Sequence, residues 1–460
     1  MVAGARDGLT AAVDELLADS RTEQRTSDVD TVAAEVLPLA EALAFIGSRG
    51  PRVLRPRRWG ARGRPLWLWG VRSRVERVPH GTVLVLGAWN YPLLLGGVQV
   101  AQALAAGNVV QWKPAPGSEA VCRRFAACLL AAGVPRHALT VLDSDVSAAT
   151  AALDRGVDLV VLTGSAATGR AVLRRAAETL TPAIMELSGC DAAIVLRSAS
   201  LERAAAAVRF ALTINSGATC IGPRRLILDQ PIATDFLQQL ESQIDPRSHY
   251  IVHPAARQAV IDLVRDTLQR GGTDRLGTGN LERLEKTGEM APLLLDNISA
   301  DWPIASADLF APITTIQRVS GLEQAATCCN ASRYGLAASI FGSPSEAARL
   351  AAALRVGNVT INDIIVPTAD PRLPFGGRGD SGFGVTRGVE GLYQMTAVKV
   401  TSSKHGSAAP HLAPHDPGTL DTLLGALQMN HAGRLADRWR GLKRIIRGVQ
   451  ASRKHHQAKD

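Results

Sequence analysis

Cys220 lies in a run of small residues, Asn215-Ser216-Gly217-Ala218-Thr219-Cys220, just ahead of the apolar stretch Leu226-Ile227-Leu228. Small neighbours leave a sulfur reachable, whereas a cysteine used for packing sits more often inside an apolar stripe. A reachable thiolate can attack a carbonyl carbon and form a covalent intermediate. Two upstream residues suit the same chemistry. Glu186, in Met185-Glu186-Leu187-Ser188-Gly189, is a lone carboxylate in an apolar stretch. Burial there would raise its pKa toward that of a working base. Asn90, in Gly87-Ala88-Trp89-Asn90-Tyr91-Pro92, offers a side-chain amide to an oxyanion. Each also has an ordinary reading, as a salt-bridged glutamate or a turn asparagine.

The elements that must hold these residues can be read from the pattern. Residues 1–48 carry apolar positions at helical spacing. From Gly81 the pattern changes to strand, loop, helix. Thr82–Leu86, Val109–Trp112, Leu139–Leu142 and Leu159–Leu162 are short apolar runs, each ahead of a turn and a helix. Such repeats predict a parallel sheet covered on both faces. Asn90 and Lys113 then fall at the C-terminal edge of that sheet, where open α/β sheets bind ligands. Gly164-Ser165 leads from a strand into a helix that includes Gly169. A glycine turn with free N–H groups at a helix start suits a phosphate, although this is not GxGxxG and many α/β loops carry two glycines. A second region, from about 183 to 384, has its own strands at Ala192–Leu196 and Leu226–Leu228 and a helix at Leu201–Ile214.

Bulk properties narrow the class. A chain of 460 residues suits two or three domains. Its six cysteines form no CxxC pair and no regular framework, which favours reduced thiols and a cytoplasmic protein. Cys328-Cys329 lies near no set of metal ligands, so no metal site is expected. The N-terminus lacks the pattern of a signal peptide, and no apolar run has transmembrane length. The net charge of +9 is unevenly spread. Residues 50–77 hold nine arginines against Glu76, and residues 434–460 hold nine Lys/Arg against Asp437 and Asp460. The remainder is mildly acidic, which argues against a nucleic-acid-binding protein. Near the C-terminus Leu435, Trp439, Leu442, Ile446 and Val449 form one helical stripe, flanked by Arg438, Lys443, Arg444 and Arg447. Such a helix lies on an anionic membrane or docks on its own or a partner subunit.

Seven short motifs in order carry a resemblance. They are Trp89-Asn90, Lys113-Pro114, Gly164-Ser165, Glu186-Leu187-Ser188-Gly189, Cys220, Leu309-Phe310-Ala311-Pro312 and Pro374-Phe375-Gly376-Gly377. Over about residues 75–400 the chain resembles the NAD(P)-dependent aldehyde dehydrogenase superfamily, most of all its shorter class 3 branch for fatty or aromatic aldehydes. The resemblance implies Cys220 as nucleophile, Glu186 as general base, and Asn90 with the Cys220 N–H as oxyanion hole. It implies a cofactor site with Lys113 at the adenosine ribose, Gly164 and Ser165 at the pyrophosphate and Phe310 beside the nicotinamide, with Trp89, Gly169 and Asp308 also part of that site. The implied reaction oxidises an aldehyde to a carboxylic acid through a thiohemiacetal and a thioester on Cys220. The site or the positive nicotinamide ring is expected to favour the thiolate. A homodimer or higher oligomer is also implied.

The implied fold is α/β. N-terminal helices and a Rossmann-like cofactor domain would occupy 1–184, with an oligomerisation hairpin near 66–80. A second α/β catalytic domain would occupy 185–384, followed by a returning strand at 385–403, a linker at 404–418 and a basic amphipathic tail at 419–460.

Several positions depart from the family pattern. Asp308 replaces the nicotinamide-ribose glutamate, Ser188 replaces a glycine, Ala311 replaces a glycine and Ala218 replaces a glutamine. Lys-Pro-Ser-Glu reads Lys113-Pro114-Ala115-Pro116. Loss of that glutamate removes a repulsion of a 2′-phosphate, which leaves NAD and NADP both open. Glu119 could compensate only if its loop folds back. Two alternatives stand beside aldehyde oxidation: a CoA-acylating enzyme, which Glu186 argues against, and a catalytically degenerate scaffold or membrane-associated protein, which the altered motifs favour and Cys220, Glu186 and Asn90 oppose.

Overall fold

The computed structural model describes every residue except Met1, Asn280, Ser407, Ala408, Ala413, Lys459 and Asp460. Parts of the expected linker at 404–418 and the last two residues of the expected tail therefore lie outside the described residues. The chain forms two compact units. Residues 1–57 and 74–400 make the first, and residues 58–73 and 401–460 the second.

The first unit is built on two sheets. Thr82–Leu86 is a run of β-branched and leucine residues buried on both faces, as a central parallel strand must be. On one side it pairs with Val109–Lys113, which pairs with Leu139–Val141; on the other it pairs with Leu159–Gly164, then Ala183–Leu187. These pairings are parallel, and Gly382–Phe383 closes the edge antiparallel to Ala183–Leu187. The order of connection reverses at Thr82–Leu86, so a crevice opens there at the C-terminal ends of the strands. On one face the sheet packs on the helices Val2–Ala11, Leu37–Val53, Gly97–Ala105 and Glu119–Ala131, around Leu9, Leu39, Leu43, Trp112 and Phe125. On the other face Val146–Arg155 and Ala166–Glu178 pack over Leu84, Val160, Leu162 and Met185.

The second sheet has seven strands in the order Thr273–Asp274, Leu293–Asp296, Ile313–Val319, Pro223–Asp229, Asp191–Val195, Ala337–Phe341 and Asn358–Ile361. Its pairings are parallel except at the Thr273–Asp274 edge. The strand that carries Glu186 belongs to the first sheet, so the expected boundary at 184/185 cuts through it. The second sheet begins at Asp191.

Two other expectations change. Leu66–Leu68 is a short helical turn rather than one arm of a hairpin. Val71–Pro79 instead lies between Arg57–Trp59 and the returning strand Thr396–Lys404 in a three-stranded sheet. Gly70, at φ 81, stands between that turn and the strand.

In the second unit the C-terminal segment is two helices, Thr419–His431 and Leu435–Gln457. They pack along a seam of glycines seven residues apart on each helix: Gly418 faces Gly448, and Gly425 faces Gly441. A Cβ on Gly425 would stand 2.6 Å from the carbonyl oxygen of Gly441, closer than any side chain permits. Backbone against backbone leaves no room between the helices for large residues. Leu420, Leu423, Leu427, Leu435, Trp439 and Ile446 accordingly face outward and are exposed. Arg444 also joins Asp421 across the pair at 2.7 Å.

Overpacking a close contact costs roughly 1–3 kcal/mol. Gly425→Val is therefore expected to part the two helices, read as faster tryptic cleavage within 419–457. Gly433→Val, at a position with nothing near its Cβ, is expected to leave the cleavage rate unchanged.

Candidate active site

The segment after the helix Leu201–Thr213 has an unusual backbone. Asn215, Ser216 and Gly217 run at φ 50°, 56° and 73°. Non-glycine residues in this region cost on the order of 1–3 kcal/mol each and persist only where the surroundings hold them. The surroundings do so at each residue. The Asn215 side-chain amide donates to the Asn90 carbonyl at 2.9 Å, and the Ser216 hydroxyl to the Gln24 carbonyl at 3.1 Å. Gly217 has no space for a side chain, since a Cβ would meet the Ala311 carbonyl carbon at 2.5 Å. Buried Arg224 donates to the carbonyls of Gly217 at 2.8 Å and Thr219 at 3.0 Å. Tyr91 and Thr219 share a hydroxyl hydrogen bond of 2.6 Å. This loop presents Cys220.

Asn90 belongs to the same network. Its Nδ2 donates one hydrogen to the Ala218 carbonyl at 3.0 Å, which fixes the amide beside the loop and leaves its second hydrogen free of that bond. The chain after Asn90 enters a wide π-helical turn at Pro92–Gly96. A second such turn, Val32–Val36, brings in Glu35. The buried Glu35 carboxylate accepts the N–H groups of Leu93 at 2.8 Å and Leu94 at 3.2 Å, and pairs with Arg25 at 2.9 Å. The N-terminal helices thus hold the loop that carries Asn90. Sequence reading missed Glu35, which stood there as one acidic residue in an alanine- and valine-rich helix.

Glu186 ends up buried on the strand Ala183–Leu187. One oxygen, Oε2, accepts from the Thr386 hydroxyl at 2.9 Å and from Gln99 Nε2 at 3.3 Å. The other, Oε1, is buried without a partner among the described residues. Burial raises the pKa of this carboxyl, against the opposing pull of Arg387 and these two hydrogen bonds. A glutamate with a raised pKa and one free oxygen is equipped to take a proton. Gln99 has a trace in sequence, as a polar residue in the apolar helix Gly97–Ala105; Thr386 has none.

The protein itself does not favour the thiolate of Cys220. The sulfur side faces a cleft, yet dense surroundings push the thiol up to about 12, with Glu186 and Asp191 adding to the effect and Arg387 opposing it. The expectation that the site ionises this cysteine is corrected to that extent: two acidic neighbours and desolvation outweigh one arginine.

Cys220, Glu186 and Asn90 line one cavity of about 630 Å³ together with Trp89, Lys113, Gly164, Ser165, Asp308 and Phe310. Gly169 does not line it. A Cβ there would strike Leu187 at 2.8 Å, so this glycine serves helix-on-strand packing instead. The cleft runs along the reversal point of the first sheet. At one end Ser165 caps the helix Ala166–Glu178 by accepting from the Thr168 N–H at 3.1 Å, and the helix N-terminus faces the cleft. That arrangement suits a phosphate. Lys113 is half-buried there, beside Asp145 and Glu119, and burial lowers its pKa. Glu119 bonds to Ser144 and to the Gly117 N–H and does not line the cavity, so it does not replace the carboxylate missing at Pro116. Among the described residues the lining carries two carboxylates, Glu186 and Asp308. At the other end Trp89 stacks on His253 at 4.1 Å and tilts against Phe310 at 5.6 Å. Asp308 Oδ1 is buried there without a partner among the described residues. A phosphate-ready turn, an aromatic wall and an orphaned carboxylate oxygen fit a dinucleotide. Among the described residues no cluster could hold a metal ion.

The sequence profile of the aldehyde dehydrogenase family matches residues 2–401. A 4,4′-diapolycopene aldehyde oxidase from Methylomonas is 31% identical over 430 residues, spanning 88% of this chain and 79% of the relative. A dimeric NADP-preferring aldehyde dehydrogenase from Mus musculus is 30% identical, spanning 68% of this chain and 70% of that one. Among solved structures, a Mycobacterium tuberculosis aldehyde dehydrogenase complexed with NAD+ superposes with a TM-score of 0.80 at 26% identity, covering 89% of this chain and 85% of the other.

The raised thiol gives a direct expectation. Alkylation of Cys220 in the free protein, followed by mass spectrometry, is expected to accelerate through pH 9–10 without levelling near the ordinary value of roughly 8.5. Added NAD(P)+ is expected to speed it at pH 7.5. A plateau near pH 8.5 in the free protein would show that the thiol is not held protonated.

Proposed function

Because this chain belongs to the aldehyde dehydrogenase family, we propose that Cys220, Glu186 and Asn90 are the residues that carry its reaction. The enzyme oxidises an aldehyde to a carboxylic acid with NAD(P)+. The observation that carries the assignment is the single cleft lined by all three residues, with Glu186 Oε1 buried without a partner among the described residues. In the proposed sequence the sulfur of Cys220 bonds to the aldehyde carbon and its thiol proton passes to water. Asn90 donates to the resulting oxyanion, a contact worth roughly 3–4 kcal/mol in comparable sites. The chemistry that bound NAD(P)+ supplies is acceptance of a hydride from the same carbon. Cys220 is then acylated as a thioester. Glu186 takes a proton from water, the water oxygen bonds to the acyl carbon, and the carbon–sulfur bond breaks to release the acid. Lys113, Gly164, Ser165, Asp308 and Phe310 are the proposed cofactor contacts, with Trp89 backing the aromatic end. Pro116 stands in place of the family's carboxylate and Glu119 does not line the cleft, which supports acceptance of NADP as well as NAD. The Methylomonas relative, named a 4,4′-diapolycopene aldehyde oxidase, supports an aldehyde of that kind as substrate class.

The test is an aldehyde panel assayed with both dinucleotides. Cys220→Ala is expected to abolish turnover. Glu186→Gln is expected to keep a stoichiometric burst of reduced cofactor while steady turnover falls about 100-fold or more, the scale of a lost general base. Unchanged turnover in Glu186→Gln would remove the base assignment, and acyl-CoA formation dependent on added CoA would favour the acylating reading.

A cytoplasmic enzyme with peripheral membrane contact belongs to the same proposal, as does a homodimer or higher oligomer. Six unpaired cysteines support a reducing compartment, and the mouse relative is named as dimeric. Among the described residues no helix is long and apolar enough to cross a membrane. The helical pair of the second unit supports surface contact instead. Leu435 is 74% exposed, Trp439 64% and Leu420 65%, and fourteen Lys/Arg against four Asp make this unit strongly basic. Apolar side chains flanked by cations match an anionic lipid surface. The protein is expected to sediment with vesicles containing phosphatidylserine and to be released by 0.5 M salt, and Leu423→Asp/Trp439→Asp to stay in solution. Equal sedimentation of both forms would remove the membrane reading.

A further inference from the structure

Two of the departures from the family pattern meet in space. Ser188 and Asp308 are 120 residues apart in the chain, and the Ser188 hydroxyl donates to Asp308 Oδ2. Neither residue alone looks suited to its place. An aspartate is one methylene shorter than the glutamate expected at 308, so its carboxylate stands further back from the cleft. A serine at 188 puts a side chain where a glycine would leave space.

The backbone of Ser188 is fixed on both sides. Its N–H donates to the Gly164 carbonyl at 3.0 Å, and its own carbonyl accepts from the Ser381 hydroxyl at 3.0 Å. Ser188 is buried, and its backbone is held at the end of the strand that carries Glu186 and against the Gly164 turn. Asp308 has no comparable anchor of its own, since it sits in the loop between Ser306 and the strand starting at Ile313. Only one of its oxygens is engaged by Ser188. The other, Oδ1, is buried with no partner among the described residues, and the residue lines the cleft. Burial raises the pKa of this carboxyl, while the Ser188 hydrogen bond and the charges of Arg224 and Arg333 favour its ionised form. A buried acceptor left empty is costly, and ligand hydroxyls relieve that cost.

We infer that Ser188 is a positioning residue for cofactor binding: it grips Asp308 Oδ2 so that Oδ1 is aimed at the ribose hydroxyls, and the two departures act as one unit. The inference rests on the proposed role of Asp308 as a cofactor contact. It predicts a specific pattern of coupling. Removing the hydroxyl frees a short carboxylate that no longer reaches. Lengthening Asp308 with Ser188 in place crowds the pair. Making both changes restores a long carboxylate beside an empty position.

The test measures dissociation constants of NAD+ and NADP+ by quenching of tryptophan fluorescence, for which Trp89 in the cleft is a local reporter. Ser188→Gly and Ser188→Ala are each expected to weaken binding about tenfold, the scale of a charge-assisted hydrogen bond. Asp308→Glu alone is expected to weaken it as well. Ser188→Gly/Asp308→Glu is expected to return to within about threefold of the parent, a non-additive rescue of the kind that contacting residues give. Turnover at saturating cofactor is expected to stay within about twofold in Ser188→Ala, since the change acts on the cofactor's grip. Unchanged affinity in both Ser188 variants, or additive losses in the double variant, would overturn the inference. Asp308→Ala separates the two levels. If it too leaves affinity unchanged, the cofactor role of Asp308 falls; if it weakens binding while the Ser188 variants do not, only the role of Ser188 falls.

Discussion

The rest of the site depends on three consecutive residues held in a conformation that chains avoid. Asn215, Ser216 and Gly217 all lie at positive φ. Two of them have side chains, so the loop is stable only because its carbonyls and side chains are gripped from outside. Arg224 supplies the main grip, with donors to two loop carbonyls. Asn90 and Asn215 form the second, each donating to the other's segment. These contacts fix two things at once, since the bonds that restrain the nucleophile loop also orient the amide of Asn90. The Gln24 carbonyl and Glu35 extend the arrangement to the N-terminal helices, which are far from the cleft in sequence and adjacent to its framework in space.

Much of the fold was legible because it is written in local patterns. Thr82–Leu86 and Leu159–Leu162 are short, apolar and buried on both faces, which is what a parallel strand requires. The position of Asn90 follows from the strand before it. The hairpin near 66–80 failed for a physical reason: strand propensity in Leu66–Leu68 says nothing of which partners a strand will find, and those of Val71–Pro79 are Arg57–Trp59 just upstream and Thr396–Lys404 more than 300 residues downstream. Gly169 misled because a glycine near a ligand turn and a glycine under a packed helix look alike in sequence. The supporting shell was barely legible. Thr386 and Gln99 on Glu186, and Glu35 behind Asn90, are ordinary polar residues whose meaning comes only from what they touch.

Charge is divided between the two units. The second holds the basic excess of the chain, while the first is close to neutral. The division matters for how each can be changed. In the first unit the Arg25–Glu35 ion pair is buried, and loss of one partner strands the other in apolar surroundings. In the second unit most charges are exposed, so their contribution to folding is small and salt screens them. Its helices are instead held by the glycine seam, which works through shape.

The thiol held at about 12 bears on the history of the protein between turnovers. Peroxides and electrophilic metabolites react with thiolates far faster than with thiols. A cysteine whose surroundings favour the protonated form offers them little to react with. The crowding that raises the thiol thus also lowers the share of thiolate that such reagents meet in the free protein.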